Sequence, residues 1–204
     1  MHDKTTLQKA VRGFVTHGSA CRRSPRTRRL ADARGFTLIE LLVVVVIIGV
    51  IGGMSVPGYL RIRTAGNEVA AIASLRAIVS AQAAYSASCG GGFYAPTLAN
   101  LALPPITVAD GDGFIGADLS VDPSLKSGYN VALVAGPPAN GAPASCNGAA
   151  AGTVATTYFA GADPATAGGG RFFGTNQSGT IFQSLTGAVP PTQAGTPQGA
   201  TPIQ

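Results

Sequence analysis

The sequence predicts an α+β protein: one long N-terminal helix, half membrane anchor and half amphipathic, packed on a small antiparallel sheet. Three observations carry that prediction. From Leu41 to Leu60 twenty residues pass without a charge, and at ~1.5 Å per residue such a helix spans about 30 Å, the thickness of a bilayer's hydrocarbon core. Beyond Pro57 the apolar residues recur at steps of three or four. Past Gly128 the chain turns to short β-branched and aromatic runs bounded by Gly, Pro or Asn.

The first element, residues 1–35, is a basic leader. It holds nine of the fourteen Lys and Arg residues against Asp3 and Asp32, a balance of +7. The rest of the chain has five bases and seven acids, a balance of −2. The basic overall charge therefore describes the leader alone, and no nucleic-acid partner is indicated for the body. A basic block ahead of an apolar run predicts a cytoplasmic N-terminus and an exported remainder. Both histidines, His2 and His17, also lie in the leader.

Residues 36–60 form the anchor. The apolar run exceeds the 7–15 residues of an ordinary signal peptide, and no small-residue cleavage site follows it. Gly49, Gly52, Gly53 and Gly58 make its second half a poor helix in water, and Pro57 is expected to bend it. Residues 61–89 continue the helix in amphipathic form, with Ile62, Ala65, Val69, Ile72, Leu75 and Val79 as the expected apolar face. Gly90-Gly91-Gly92 ends it. The predicted helix is thus a single one over residues 36–88.

Residues 90–183 read as a globular region. A short helix is expected at Pro96–Ala102 and strands at Tyr129–Ala135, Thr153–Ala160, Arg171–Thr175 and Thr180–Gln183, the last two joined by a turn at Asn176–Gly179. Residues 184–204 are rich in Pro, Gly, Thr and Gln and read as disordered. Of three cysteines, Cys21 is in the leader, leaving Cys89 and Cys146 beyond the anchor. If that part is exported, an even pair reads as one disulfide, with two free thiols as the alternative.

Few catalytic chemistries find their residues here. A Cys89 nucleophile lacks a histidine base in the body, and Cys/His metal clusters fail for the same reason. Neither glycine triplet precedes the Lys-Ser/Thr of a phosphate loop. Asp110, Asp112, Asp118 and Asp122 superficially suggest a calcium loop but lack its ligand alternation and distal Glu, so turn chemistry is the better reading. No cofactor, metal or enzymatic activity is expected.

One residue remains to be explained. Glu40 lies just inside the apolar run, where an unpaired carboxylate costs about 2.5–3.5 kcal/mol at the helix centre. The stretch Gly35-Phe36-Thr37-Leu38-Ile39-Glu40, behind Arg34 and ahead of an unbroken apolar run reaching Pro57, resembles the N-terminus of type IV pilins and of the pseudopilins of type II secretion systems. The resemblance covers roughly residues 34–89. It implies cleavage by a prepilin peptidase between Gly35 and Phe36, N-methylation of Phe36 by the same enzyme, and a mature protein that keeps its anchor. It also implies that Glu40 pairs with the charged N-terminus of a neighbouring subunit during assembly, and that the fold is pilin-like. The implied partners are other pilin-like subunits in a homo- or hetero-polymer, the peptidase, an inner-membrane assembly machinery and the membrane itself. The implied location is the bacterial inner membrane, crossed once, and then a periplasmic or extracellular filament. A type IV pilus subunit is the first reading and a type II secretion pseudopilin the second. A membrane-anchored enzyme, or an anchored protein binding DNA or a surface, is the alternative outside filaments.

Overall fold

The computed structural model describes residues 35–107, 111–166 and 170–203, without the side chains of 55–57. The chain divides into two compact units, Met1–Val46 and Ile47–Gln204. The first helix, α1 (Leu38–Ser88), is 51 residues long and begins in one unit and ends in the other. It is followed by a one-turn helix α2 (Leu98–Ala102), a 3-10 turn (Ala117–Leu119) and six strands. These are β1 (Ser124–Lys126), β2 (Tyr129–Ala135), β3 (Tyr158–Pro164), β4 (Phe172–Asn176), β5 (Ile181–Ser184) and β6 (Thr201–Pro202), paired in chain order as one antiparallel sheet. The layout is α+β and pilin-like.

Local chemistry accounts for the turns. Ser127 and Gly128 join β1 to β2 with φ of 49° and 77°, the left-handed pair that suits a two-residue hairpin. Asn176 shapes the β4–β5 turn: its carbonyl accepts the Gly179 N–H at 2.9 Å and its side chain accepts the Ser178 N–H at 3.0 Å. Thr97 caps α2 by accepting the Asn100 N–H at 3.1 Å.

The core lies between the second half of α1 and one face of the sheet. Ala71, Leu75, Ile78, Tyr85 and Cys89 of the helix region are buried with Tyr129, Val131, Tyr158, Ala160, Ala162, Phe173 and Ile181. Tyr129 and Phe173 pack with ring centroids 5.9 Å apart. This corrects the expected helix face. Ile62 and Val69 are exposed, at 74% and 67%, while the small residues Ala71 and Ser74 are buried. The buried face runs through Ala71, Ser74, Leu75, Ile78, Gln82 and Tyr85, at steps of three or four that begin after Val69.

One strand expectation also shifts. The run Thr153–Ala160 is expected as a strand, but β3 begins at Tyr158 and runs to Pro164. Residues before it form bridges instead: Ala155 faces both Tyr94 and Pro138. Register with β2, from Ala135↔Tyr158 to Tyr129↔Pro164, overrides the poor strand propensity of Gly161, Asp163 and Pro164.

The segment after Ser184 is not disordered as expected. It returns across the outer face of the sheet, where Val189 and Ala200 form a second buried cluster with Phe159 and Phe182. Asn176 Nδ2 donates to the Thr192 and Gly195 carbonyls at 3.0 Å each, and Thr201–Pro202 pairs with β5. Gly174 makes room for this packing, since a Cβ there would meet the Phe159 ring at 2.7 Å and Val189 at 3.0 Å. Few apolar residues suffice because the sheet supplies the aromatic surface.

Candidate functional site

The site predicted from sequence begins at Gly35, the first described residue. A Cβ at Gly35 would meet nothing within 4 Å, so packing among the described residues does not demand glycine there. Phe36 is 77% exposed. Thr37 then opens α1: the Glu40 N–H donates to its hydroxyl at 3.3 Å and to its carbonyl at 3.1 Å, and the Leu41 N–H to that carbonyl at 3.2 Å. Thr37 is therefore the N-cap, and Thr37-Leu38-Ile39-Glu40 has capping-box spacing. Sequence reasoning missed this role, although Thr-x-x-Glu ahead of an apolar run is its signal. The carboxylate of Glu40 lies in the first turn, where the N-terminal end of the helix dipole favours negative charge. Glu40 is exposed and makes no ion pair among the described residues.

Every residue from Gly35 to Met54 is exposed. That includes Leu38, Ile39, Leu41, Leu42 and the run Val43–Ile48. An apolar surface of this extent marks a protein or membrane contact. The segment Gly58–Ser88 is also long and apolar enough to cross a membrane by composition, with a mean hydropathy of 1.2. However, 39% of its most apolar window is buried within the protein, and Arg61, Arg63, Glu68 and Arg76 interrupt the Gly58–Ser88 segment as a whole. The exposed half is the stronger anchor on physical grounds. Pro57 lies inside the helical span.

The match to known proteins falls on this half. The family described as the prokaryotic N-terminal methylation motif matches residues 30–56. The chain carries an N-terminal methylation motif. Gly35, Phe36 and Glu40 all fall inside the methylation motif, while the cysteines and the sheet lie outside it. The type IV major pilin protein PilA of Myxococcus xanthus (strain DK1622) is 36% identical over 52 residues, covering 26% of this chain and 24% of that pilin. The chain thus matches about a quarter of the length of this curated relative. No solved structure matches.

In the second unit two constellations tie the helix and its C-terminal end to the segments that follow. Cys89 and Cys146 form a disulfide with Cα atoms 4.8 Å apart, and the Cys146 N–H donates to the Cys89 carbonyl at 3.2 Å. Arg171, just ahead of β4, reaches Glu68 on α1. Its Nη2 and Nε donate to Glu68 Oε2 at 2.7 and 3.2 Å, and its backbone N–H donates to Oε1 at 3.1 Å. Arg171 Nη1 also donates to Gln183 at 2.7 Å, and the guanidinium lies 5.7 Å from the centre of the Phe173 ring. The side-chain hydrogen bonds from Arg171 hold the Glu68 carboxyl below its ordinary range despite its burial.

Two of the aspartates, Asp118 and Asp122, are engaged within the fold. Lys126 pairs with Asp118, whose carboxyl is held below its ordinary range mainly by that hydrogen bond. Asp122 accepts the Leu133 N–H at 3.2 Å; burial nevertheless pushes its carboxyl up. Asp110 lies outside the described residues.

Proposed function

We propose that the chain is a structural subunit of a type IV pilus, cut after Gly35, methylated at Phe36 and polymerised through its apolar helix. The observation that carries this reading is the methylation motif at residues 30–56, laid on a helix whose residues are exposed through Met54. Cleavage there creates an α-ammonium at Phe36, and methylation leaves that amine charged. Glu40, exposed and without a counter-ion among the described residues, is the complementary charge for a neighbour's N-terminus. In a bundle of low dielectric that attraction is strong but desolvation is costly, so the pair sets register more than stability. A misplaced subunit leaves the carboxylate unpaired.

Gly49, Gly52, Gly53 and Gly58 support the same reading, because a Cβ at any of them meets nothing within 4 Å. Such positions let a neighbouring helix approach closely. Pro57 removes one donor from the helix ladder and is proposed as the point where the anchor bends. The subunit would wait in the bacterial inner membrane, N-terminus cytoplasmic, until an assembly machinery inserts it in a filament. The role is structural and not catalytic. Pseudopilins of type II secretion systems are the second reading, and similarity to a type IV major pilin favours the pilus.

Intact-mass analysis of the natural protein tests the processing: a chain beginning at methylated Phe36 is expected, and a mature start upstream of Gly35 refutes it. Glu40 is tested by two substitutions. Gln at the third helical position still serves a capping box, so Glu40→Gln keeps the helix start and removes the charge. Both Glu40→Gln and Glu40→Ala are expected to be cleaved normally and to fail incorporation into filaments. Normal incorporation of Glu40→Gln would reduce Glu40 to a capping residue.

A further inference from the structure

A groove beside the β1–β2 turn serves none of the roles above. Leu60, Arg63, Thr64 and Asn67 line one side of it; their spacing of three, four and seven puts them on one face of α1. Gly128, Tyr129 and Thr166 line the other side, and the space enclosed is about 510 Å³. Two of the polar groups lining it, the Thr64 and Tyr129 hydroxyls, are already committed. The Thr64 hydroxyl donates to carbonyls of its own helix, Arg61 at 2.9 Å and Leu60 at 3.3 Å. The Tyr129 hydroxyl donates to the Arg171 carbonyl at 3.0 Å. Glu68, next on the helix, is taken by Arg171.

Arg63 is different. Arg63 lines the groove and belongs to neither of the ion pairs among the described residues, Lys126–Asp118 and Arg171–Glu68. Leu60 is the last residue of the uncharged run, so by helix length Arg63 falls about one turn beyond the hydrocarbon boundary. A groove with Leu60 as an apolar wall and a guanidinium outside any ion pair at that depth has the chemistry of a lipid headgroup site.

We infer that this groove takes the phosphate headgroup of an anionic phospholipid, with Arg63 as the phosphate ligand. The inference rests on the anchor reading under Proposed function. It orients the subunit in the bilayer before polymerisation, by fixing the rotation of α1 about its own axis.

The test is native mass spectrometry of the full chain released from micelles containing phosphatidylglycerol or phosphatidylcholine. Wild type is compared with R63A and R61A. Arg61 carries the same charge two residues away but does not line the groove, so R61A controls for bulk attraction, and the basic leader is common to all three. R63A is expected to lose about tenfold of the phosphatidylglycerol adduct, the worth of one charged hydrogen-bonded contact, while R61A stays close to wild type. Inorganic phosphate at millimolar concentration is expected not to displace the lipid. Equal losses in R61A and R63A, or displacement by inorganic phosphate, overturn the site. Extraction of the chain from membranes at alkaline pH separates the two failures. A chain that washes off refutes the anchor and the site together, whereas an anchored chain in which R63A keeps its adduct refutes the site alone.

Discussion

Gln82 offers a demanding test of how the helix is held to the globular region. It lies on α1 and is fully buried. Its Nε2 donates to the Ala95 carbonyl at 3.0 Å, and the Ala95 N–H donates to its Oε1 at 2.9 Å. Ala95 is fully buried too. Replacing Gln82 with Leu keeps the volume and removes both bonds, leaving a backbone donor and a backbone acceptor unpaired. Each such group costs about 1–3 kcal/mol, and the gain from a larger apolar side chain offsets part of that. A net loss of roughly 2–4 kcal/mol follows, a large share of the 5–15 kcal/mol typical of a folded domain. The assay is denaturant unfolding of the detergent-solubilised chain, followed by near-ultraviolet circular dichroism. Gln82→Glu sharpens it, because an ionised carboxylate cannot donate to the Ala95 carbonyl and regains a donor only when protonated. Gln82→Leu within about 0.5 kcal/mol of wild type, inside the range of an inconsequential surface change, would refute the reasoning.

Three further predictions rest on the same unit. Replacing Cys89 and Cys146 together by Ser opens a closure of 57 positions, worth roughly 4 kcal/mol in the chain-entropy account; an unchanged denaturation midpoint would count against it. Glu68→Gln is expected to cost about 1–3 kcal/mol at neutral pH by removing the charged acceptor of Arg171. Because the folded carboxyl is held down by Arg171, its contribution is present above the unfolded value of 4.5 and is lost as pH falls through the folded one. Wild type and Glu68→Gln should therefore converge in acid, and a gap that persists there contradicts the ion pair. Asp163 has the opposite sign: burial pushes its carboxyl up, so the ionised form weakens the fold at neutral pH. Asp163→Asn should raise the melting temperature at pH 7 and lose that advantage below the unfolded value of 3.8.

What could be read from the chain alone is whatever depends on local composition and period. The anchor, the β2 run Tyr129–Ala135 with its strict alternation, and the Asn176–Gly179 turn are of this kind. So is the methylation motif at residues 30–56, because it is a linear feature, and Thr37 was available by the same logic. Other features depend on partners distant in sequence. Gln82 looks polar to any helical pattern, and only Ala95 makes it a core residue. Arg171 finds Glu68 from 103 positions away. The segment beyond Ser184 has too few apolar residues to order itself, yet Val189 and Ala200 are buried because Phe159 and Phe182 offer them a surface. The face that α1 buries was misjudged for a related reason: hydrophobic residues were counted from Ile62 on, whereas burial begins at Ala71 and includes Ser74 and Gln82. Conformational preference and membrane transfer are properties of short stretches, and the sequence determined them. Burial and hydrogen-bond satisfaction belong to pairs of segments, and only the tertiary structure decided which segments meet.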